Sequence, residues 1–272
     1  MPVRRGRRNR MRELLETGSL LIGSFITMTD PAVVDIAALS GHDFILIDTE
    51  HAGLNLETVA NHVRAARARN LGIMIRVPAG DAGYIQQVLD VGVEGVEVPH
   101  VRNTADARAA VSAVRFPPEG HRGVFTKGVA AEFGAHGYST VAELLAAINA
   151  DTVCNVIIED VEGVDNIEEI VAVPGLDFIT FGPGDLSGSL GVPGQTDHPG
   201  VQEAMDKVLA ACRRANIPAH TTSVAPFTPA SAEELRAAGI SLLTSASDAM
   251  NLLVGMRADE QAARRGSTKL EI

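Results

Sequence analysis

The stretch DFILIDTEHAGLNLETVANHVRAARARNLGIMIRVP, residues 43–78, decides the fold. It opens with a short apolar run, Phe44–Asp48, and closes with another, Ile73–Val77. Between them Asn55-Leu56-Glu57 opens a helix that carries Val59, Val63 and Ala66 on one stripe. Neither short run alternates apolar with polar residues. Strands of that kind are covered on both faces, as parallel strands joined by crossover helices are.

The same rhythm extends in both directions. Short runs recur at Leu20–Phe25, Gly95–Val98, Val153–Glu159, Phe178–Phe181, Ile217–Thr221 and Ser241–Thr244, which makes eight in all. Asp30-Pro31 opens a helix closing at Gly41, Thr104-Ala105-Asp106 opens another, and Thr228-Pro229 opens a late one ending at Gly239. Eight strands alternating with helices over 272 residues predict one (β/α)8 TIM barrel, with an open doubly wound sheet as the competing arrangement. The stretch Phe116–Asp151 breaks the rhythm between strands four and five and carries a helix from about Val141 to Asn149. It reads as a long strand-to-helix excursion of the sort that covers a site. No domain boundary is visible, so residues 1–272 read as a single domain.

Composition narrows the function. The net charge is −11, which disfavours general nucleic-acid binding. No run approaches the roughly 18 apolar residues of a membrane span. The two cysteines, Cys154 and Cys212, sit in apolar surroundings and form no disulfide framework, so a cytoplasmic protein is the default. Arg4, Arg5, Arg7, Arg8, Arg10 and Arg12 crowd residues 1–12, which read as a basic tail leading into a first helix rather than as a targeting segment.

In such barrels the chemistry lies at the C-terminal ends of the strands. Polar residues gather there: Asp48-Thr49-Glu50-His51, Arg76, Glu97 with His100, Glu159-Asp160, Gly182-Pro183-Gly184-Asp185 and His220-Thr221. Glu159 and Asp185 come from adjacent strands and suit an oxygen-liganded divalent cation, unless each is simply paired with a rim arginine. The Gly182–Ser187 turn lacks the dinucleotide-binding glycine spacing, which excludes a nicotinamide site. Asp48 and His51 read either as a dyad, the acid orienting a histidine base, or as a rim histidine with a backbone partner. Arg76 reads as an ion-pair arginine or as a group holding a developing oxyanion. The only lysines are Lys127, Lys207 and Lys269, none on an expected strand. Schiff-base catalysis needs a desolvated lysine in the site, so an enolate here calls for a metal.

The motifs Asp43–His51, Ile75–Pro78, Leu89–Gly92, Phe116–Gly123, Ile158-Glu159, Phe181–Ser187 and Asp197–Val201 resemble, in order, those of the HpcH/HpaI family of class II 2-oxo acid aldolases, from about residue 18 to 255. The resemblance implies a metal-dependent pyruvate aldolase, a homo-oligomer (hexamer or trimer) whose C-terminal helix is exchanged between subunits. It implies Glu159 and Asp185 as ligands of Mg²⁺ or Mn²⁺, with Co²⁺ or Zn²⁺ as alternatives. Gly184 and Asp185 would hold a carboxylate, Arg76 would face the 2-oxo oxygen, and His51, oriented by Asp48, would manage the proton. Asp90 matches an aspartate that reaches a neighbouring subunit's site, and Arg122 matches an arginine after strand four. The partners implied are a 2-oxo acid (pyruvate or oxaloacetate) and an aldehyde.

Several positions depart from the family's pattern. Ile157 stands where a glutamine is common, Asp160 where a small neutral residue is common, Glu97 where an apolar residue is usual, and His220 on a strand that is usually apolar. Glu97 is expected to pair with Arg76 or to face a neighbouring helix. These changes leave open, beside aldol cleavage of a 4-hydroxy-2-oxo acid, an enzyme that decarboxylates oxaloacetate or transfers the enolate to another acceptor. A CoA-ester lyase is disfavoured because no basic groove awaits the CoA phosphates, and a non-catalytic barrel because the acid–base set is complete.

Overall fold

The computed structural model describes residues 8–223 and 231–265. Eight strands, β1 Leu21–Ile26, β2 Phe44–Asp48, β3 Gly72–Arg76, β4 Gly95–Val98, β5 Val153–Ile158, β6 Phe178–Phe181, β7 Ala219–Thr222 and β8 Ile240–Ser245, each pair in parallel with the next, and β8 returns to β1. The sheet is therefore a closed (β/α)8 barrel and not an open one. β2 and β5 are buried at every position, which is why they show no polar alternation.

The main helices in chain order are α1 Arg10–Glu16, α2 Ala32–Leu39, α3 Leu56–Arg69, α4 Ala82–Asp90, α5 Thr104–Val114, α6 Val141–Asp151, α7 Val161–Asp165, α8 Ile167–Val171, α9 Pro183–Ser189, α10 Pro199–Ala215, α11 Ala232–Ala238 and α12 Asp248–Arg264. Local chemistry sets their ends. The Asn55 side chain accepts from the Thr58 amide at the start of α3. Asn103, one residue ahead of Thr104, caps α5. Asp30 accepts from the Ala32 amide ahead of α2, and Gly41 takes up the left-handed backbone just beyond it. Ser231 and Glu234 form a capping box on α11. The expected opening at Thr228-Pro229 lies outside the described residues.

Apolar packing divides into two shells. The larger lies between the strands and the helices. The smaller fills the lower barrel with Phe44, Leu46, Met74, Val153, Phe178 and Leu242, and α1 closes it from below with the buried Met11 and Leu14. Buried Glu94 ties the cap in place, accepting from the backbone amides of Met11 (3.0 Å) and Ile73 (3.1 Å). Arg12 pairs with Asp177 and donates to the Thr152 carbonyl. The basic stretch thus ends in a docked helix, and Arg12 is part of the barrel's base rather than of a tail.

The Phe116–Asp151 excursion is not where the sequence rhythm suggested. It follows α5 and returns to the start of β5, so it is a helix-to-strand connection at the N-terminal end of the barrel, away from the rim at the strands' C-terminal ends. There, with α4, it lines a cavity of about 170 Å³ that includes Arg122 and Tyr138. No helix among the described residues is long and apolar enough to cross a membrane.

Candidate active site

Arg76 organises the rim. It ends β3 directly opposite Asp48 on β2 and donates to that carboxylate with Nε (3.1 Å) and Nη2 (2.7 Å). A two-pronged bond of this kind fixes the guanidinium plane. Nε also lies 3.2 Å from Glu50, and the guanidinium stacks 5.0 Å from the centre of the Phe25 ring. Burial works against its charge, but Asp48 and the neighbouring acids prevail and raise the Arg76 pKa.

The same geometry corrects the expected Asp48–His51 dyad. Asp48 accepts from the backbone amides of Glu50 (3.0 Å) and His51 (3.3 Å) and spends its remaining capacity on Arg76. It orients the loop, not the imidazole. The His51 ring is 60% exposed and approaches Glu50, at 3.7 Å, instead.

Glu159 follows β5, buried, beneath a residue that the sequence placed on the rim without a role. His100 has a left-handed backbone, φ 57°, uncommon outside glycine. That conformation turns its amide onto Glu159 Oε1 (2.7 Å) and its ring between Glu159 (3.1 Å) and Glu50 (3.4 Å). Glu50 was likewise visible in the sequence without a role. Alternation along the chain puts it on the same side as Asp48, which was the available signal. Burial pushes the Glu50 pKa up, with Arg76, His51 and His100 opposing.

Burial pushes the Glu159 carboxyl up to about 7; the His100 amide and ring oppose this, and the negative charges of Asp185 and Glu50 add to it. The structure thus brings Glu159 and Asp185 within electrostatic reach of each other. Gly182 makes the approach between β5 and β6 feasible. A Cβ there would lie 2.8 Å from Glu159 Cβ and 3.1 Å from Ile157 Cγ2. Beyond it α9 begins, with Asp185 exposed and open space beside Gly184, where a Cβ would meet nothing within 4 Å. Two carboxylates beside free space, one of them destabilised as an anion, fit a hard divalent cation. Among the described residues no group of three His, Cys, Asp or Glu side chains is arranged to enclose a metal. The pair would therefore leave coordination positions open.

Asp90 and Arg122 are not at this rim. Asp90 ends α4 at the opposite face of the barrel, where buried Arg122 donates to it (2.8 Å) and stacks 4.4 Å from the centre of the Phe116 ring. Burial lowers the Arg122 pKa, with Asp90 opposing. Glu97 faces no helix and makes no direct ion pair with Arg76. It points into the barrel, where Asn155 and Thr180 donate to it and His220 lies 3.3 Å away.

The chain and its fold have relatives. Residues 21–253 match the family model described as HpcH/HpaI aldolase/citrate lyase. The chain belongs to the HpcH/HpaI family. It is a lyase. It is 35% identical over 219 residues, 80% of each chain, to the 2-keto-3-deoxy-L-rhamnonate aldolase of Escherichia coli strain K12. Among solved structures it superposes on an HpcH/HpaI family protein from Burkholderia cenocepacia J2315 with a TM-score of 0.85 and 33% identity, covering 94% of this chain and 99% of that one. Citrate synthase SbnG superposes with a TM-score of 0.83 and 28% identity, covering 94% and 98%. Its relatives and structural neighbours thus carry both aldolase and citrate synthase names.

Proposed function

We propose that this enzyme reversibly cleaves a 4-hydroxy-2-oxo acid to pyruvate and an aldehyde, using a divalent metal held by Glu159 and Asp185. The observation that carries the reading is the fixed Arg76 guanidinium standing on the same rim as this carboxylate pair. Mg²⁺ or Mn²⁺ suits the oxygen donors best. When bound, the cation supplies Lewis acidity toward the 2-oxo oxygen.

The chain's own residues do the rest. The amides of Gly184 and Asp185, free at the start of α9, receive the substrate carboxylate. Arg76 is held by Asp48 and needs no reorganisation to stabilise charge on the 2-oxo oxygen. The exposed His51 carries the proton to or from the 4-hydroxyl, directly or through water. The relation to an aldolase of a 2-keto-3-deoxy sugar acid supports a polyhydroxylated acid as substrate.

A homo-oligomer belongs to the same reading. Met250, Leu252, Leu253, Val254 and Met256 leave α12 with exposed apolar side chains and no buried residue. An exchanged terminal helix would cover them, and Asp90 with Arg122 would then stand near a neighbouring rim.

The test is pyruvate release from a panel of 4-hydroxy-2-oxo acids with Mg²⁺ or Mn²⁺. Activity lost on chelation and in Glu159→Ala is the expected result; no release from any member overturns the proposal. A second reading, decarboxylation of oxaloacetate with transfer of the enolate, is favoured by Ile157 and the polar Glu97 and His220, and by the likeness to a citrate synthase. Oxaloacetate turnover without aldol cleavage would select it.

A further inference from the structure

Five consecutive strands each contribute one polar side chain to the barrel interior beneath Arg76: Glu97, Asn155, Thr180, His220 and Thr244. All five are at most 3% exposed. Asn155 Nδ2 donates to Glu97 (2.6 Å) and to Thr180 Oγ1 (2.8 Å). Thr180 Oγ1 lies 2.6 Å from Glu97 Oε1 and 2.7 Å from His220 Nδ1, and His220 Nε2 lies 2.7 Å from Thr244 Oγ1. Apolar side chains would fill this layer at lower cost, since burying a carboxylate is expensive unless it is fully bonded.

The protons on this chain can be assigned. Thr180 has one hydroxyl hydrogen and already accepts from Asn155. Burial opposes charge on Glu97, but the His220 ring 3.3 Å away, the bond from Thr180 and the charge of Arg76 outweigh it and hold its pKa below the ordinary value. An anionic Glu97 can only accept, so Thr180 gives it the hydroxyl hydrogen. His220 must then donate from Nδ1, and its Nε2 shares a hydrogen with the Thr244 hydroxyl. The His220 ring is packed against two aromatic side chains. Phe178 and Phe44 pack edge-on against it, at 5.8 and 6.3 Å between ring centres.

The chain ends beside the rim. Glu97 is the direct β4 partner of Arg76 in the strand register, and each favours the other's charge without touching it. We propose that Glu97 is a positioning residue for Arg76, its carboxylate fixed by Asn155, Thr180 and the Nδ1–H form of His220. A negative charge on the β4 side stands across from Asp48 on the β2 side, so the guanidinium that Asp48 grips also feels an acid from its other neighbouring strand. The catalytic consequence rests on the role proposed above for Arg76; the positioning itself does not.

Solid-state NMR of the full-length protein, labelled with ¹⁵N-histidine or ¹⁵N-arginine, tests it. His220 is expected to show a protonated Nδ1. Glu97→Gln should shift the Arg76 Nε resonance. Thr244→Val, which touches neither Glu97 nor Arg76, should release the Nδ1–H form and move the same resonance, and Thr244→Ser should restore it. In turnover, Glu97→Gln and Thr244→Val should lower kcat about tenfold with KM for the 2-oxo acid unchanged, as loss of an orienting partner does. An unprotonated Nδ1 on His220, or an Arg76 resonance indifferent to both variants, overturns the proposal. An enzyme with no aldol or oxaloacetate activity would sink the proposed function instead, while the resonances would still decide this one.

Discussion

Metal binding should expel a proton from Glu159. Its carboxyl, 4% exposed, titrates near 7 because burial and the charges of Asp185 and Glu50 outweigh the His100 contacts. A cation takes only the ionised form. Filling the site should therefore release about 0.9 proton at pH 6 and about 0.1 at pH 8, and the apparent affinity should weaken about tenfold between pH 8 and pH 6. Calorimetric titration of the metal-stripped protein with Mn²⁺, in buffers of differing ionisation heat, reads the proton count directly. The same shift acts on stability. The folded-state value lies above the ordinary 4.5, so Glu159 favours the metal-free fold most below pH 4.5. That contribution fades as pH rises through about 7, at a total cost of about 3 kcal/mol. Glu159→Gln should remove this part of the pH slope in urea unfolding. A proton count near zero at pH 6, or a slope unchanged by the substitution, would refute the reasoning.

Other expectations follow from single contacts. Arg76→Ala should cut kcat by about 10²–10³, the loss typical of one oxyanion-stabilising group, while thermal unfolding shows that the barrel persists. Gly182→Ala places a Cβ 2.8 Å from Glu159 Cβ, so Mn²⁺ affinity should drop at least about tenfold by calorimetry while the circular dichroism spectrum stays unchanged. Burial pushes both Cys154 and Cys212 up to about 12, so native protein should resist thiol reagents at pH 8 and react at both positions only in denaturant. Met11→Ala empties a fully buried site in the cap and should cost about 2–5 kcal/mol in urea unfolding.

The barrel was legible because its strands are buried on both faces. Phe44–Ile47 carries that fact as an unbroken apolar run, and Val153–Ile158 is interrupted only at Asn155. The acids and Arg76 were legible because a strand's C-terminal end is a position that sequence order gives. What the sequence could not supply was side-chain competition. Asp48 has a limited number of lone pairs, and whether a histidine or a guanidinium takes them depends on the register with β3. The role of His100 depends on a left-handed φ, which histidine adopts only occasionally and which nothing in the local sequence announces. The Phe116–Asp151 stretch was put at the wrong end because α5 precedes it, and a short helix beside a long loop does not say which comes back to the sheet. Glu97 and His220 looked like isolated departures because their partners, Asn155 and Thr180, are unremarkable residues far apart in sequence.

With Met11 and Leu14 wedged beneath the strands, the barrel is a cup rather than a tube. Everything that enters it leaves over the same lip. Under the proposed reaction, the 2-oxo acid sits against Arg76, deeper than its partner, so arrival and departure form a queue: first in, last out. The aldehyde is the fragment set free at the brim while pyruvate still sits against Arg76. Added pyruvate should then oppose the acid substrate competitively, and added aldehyde should not.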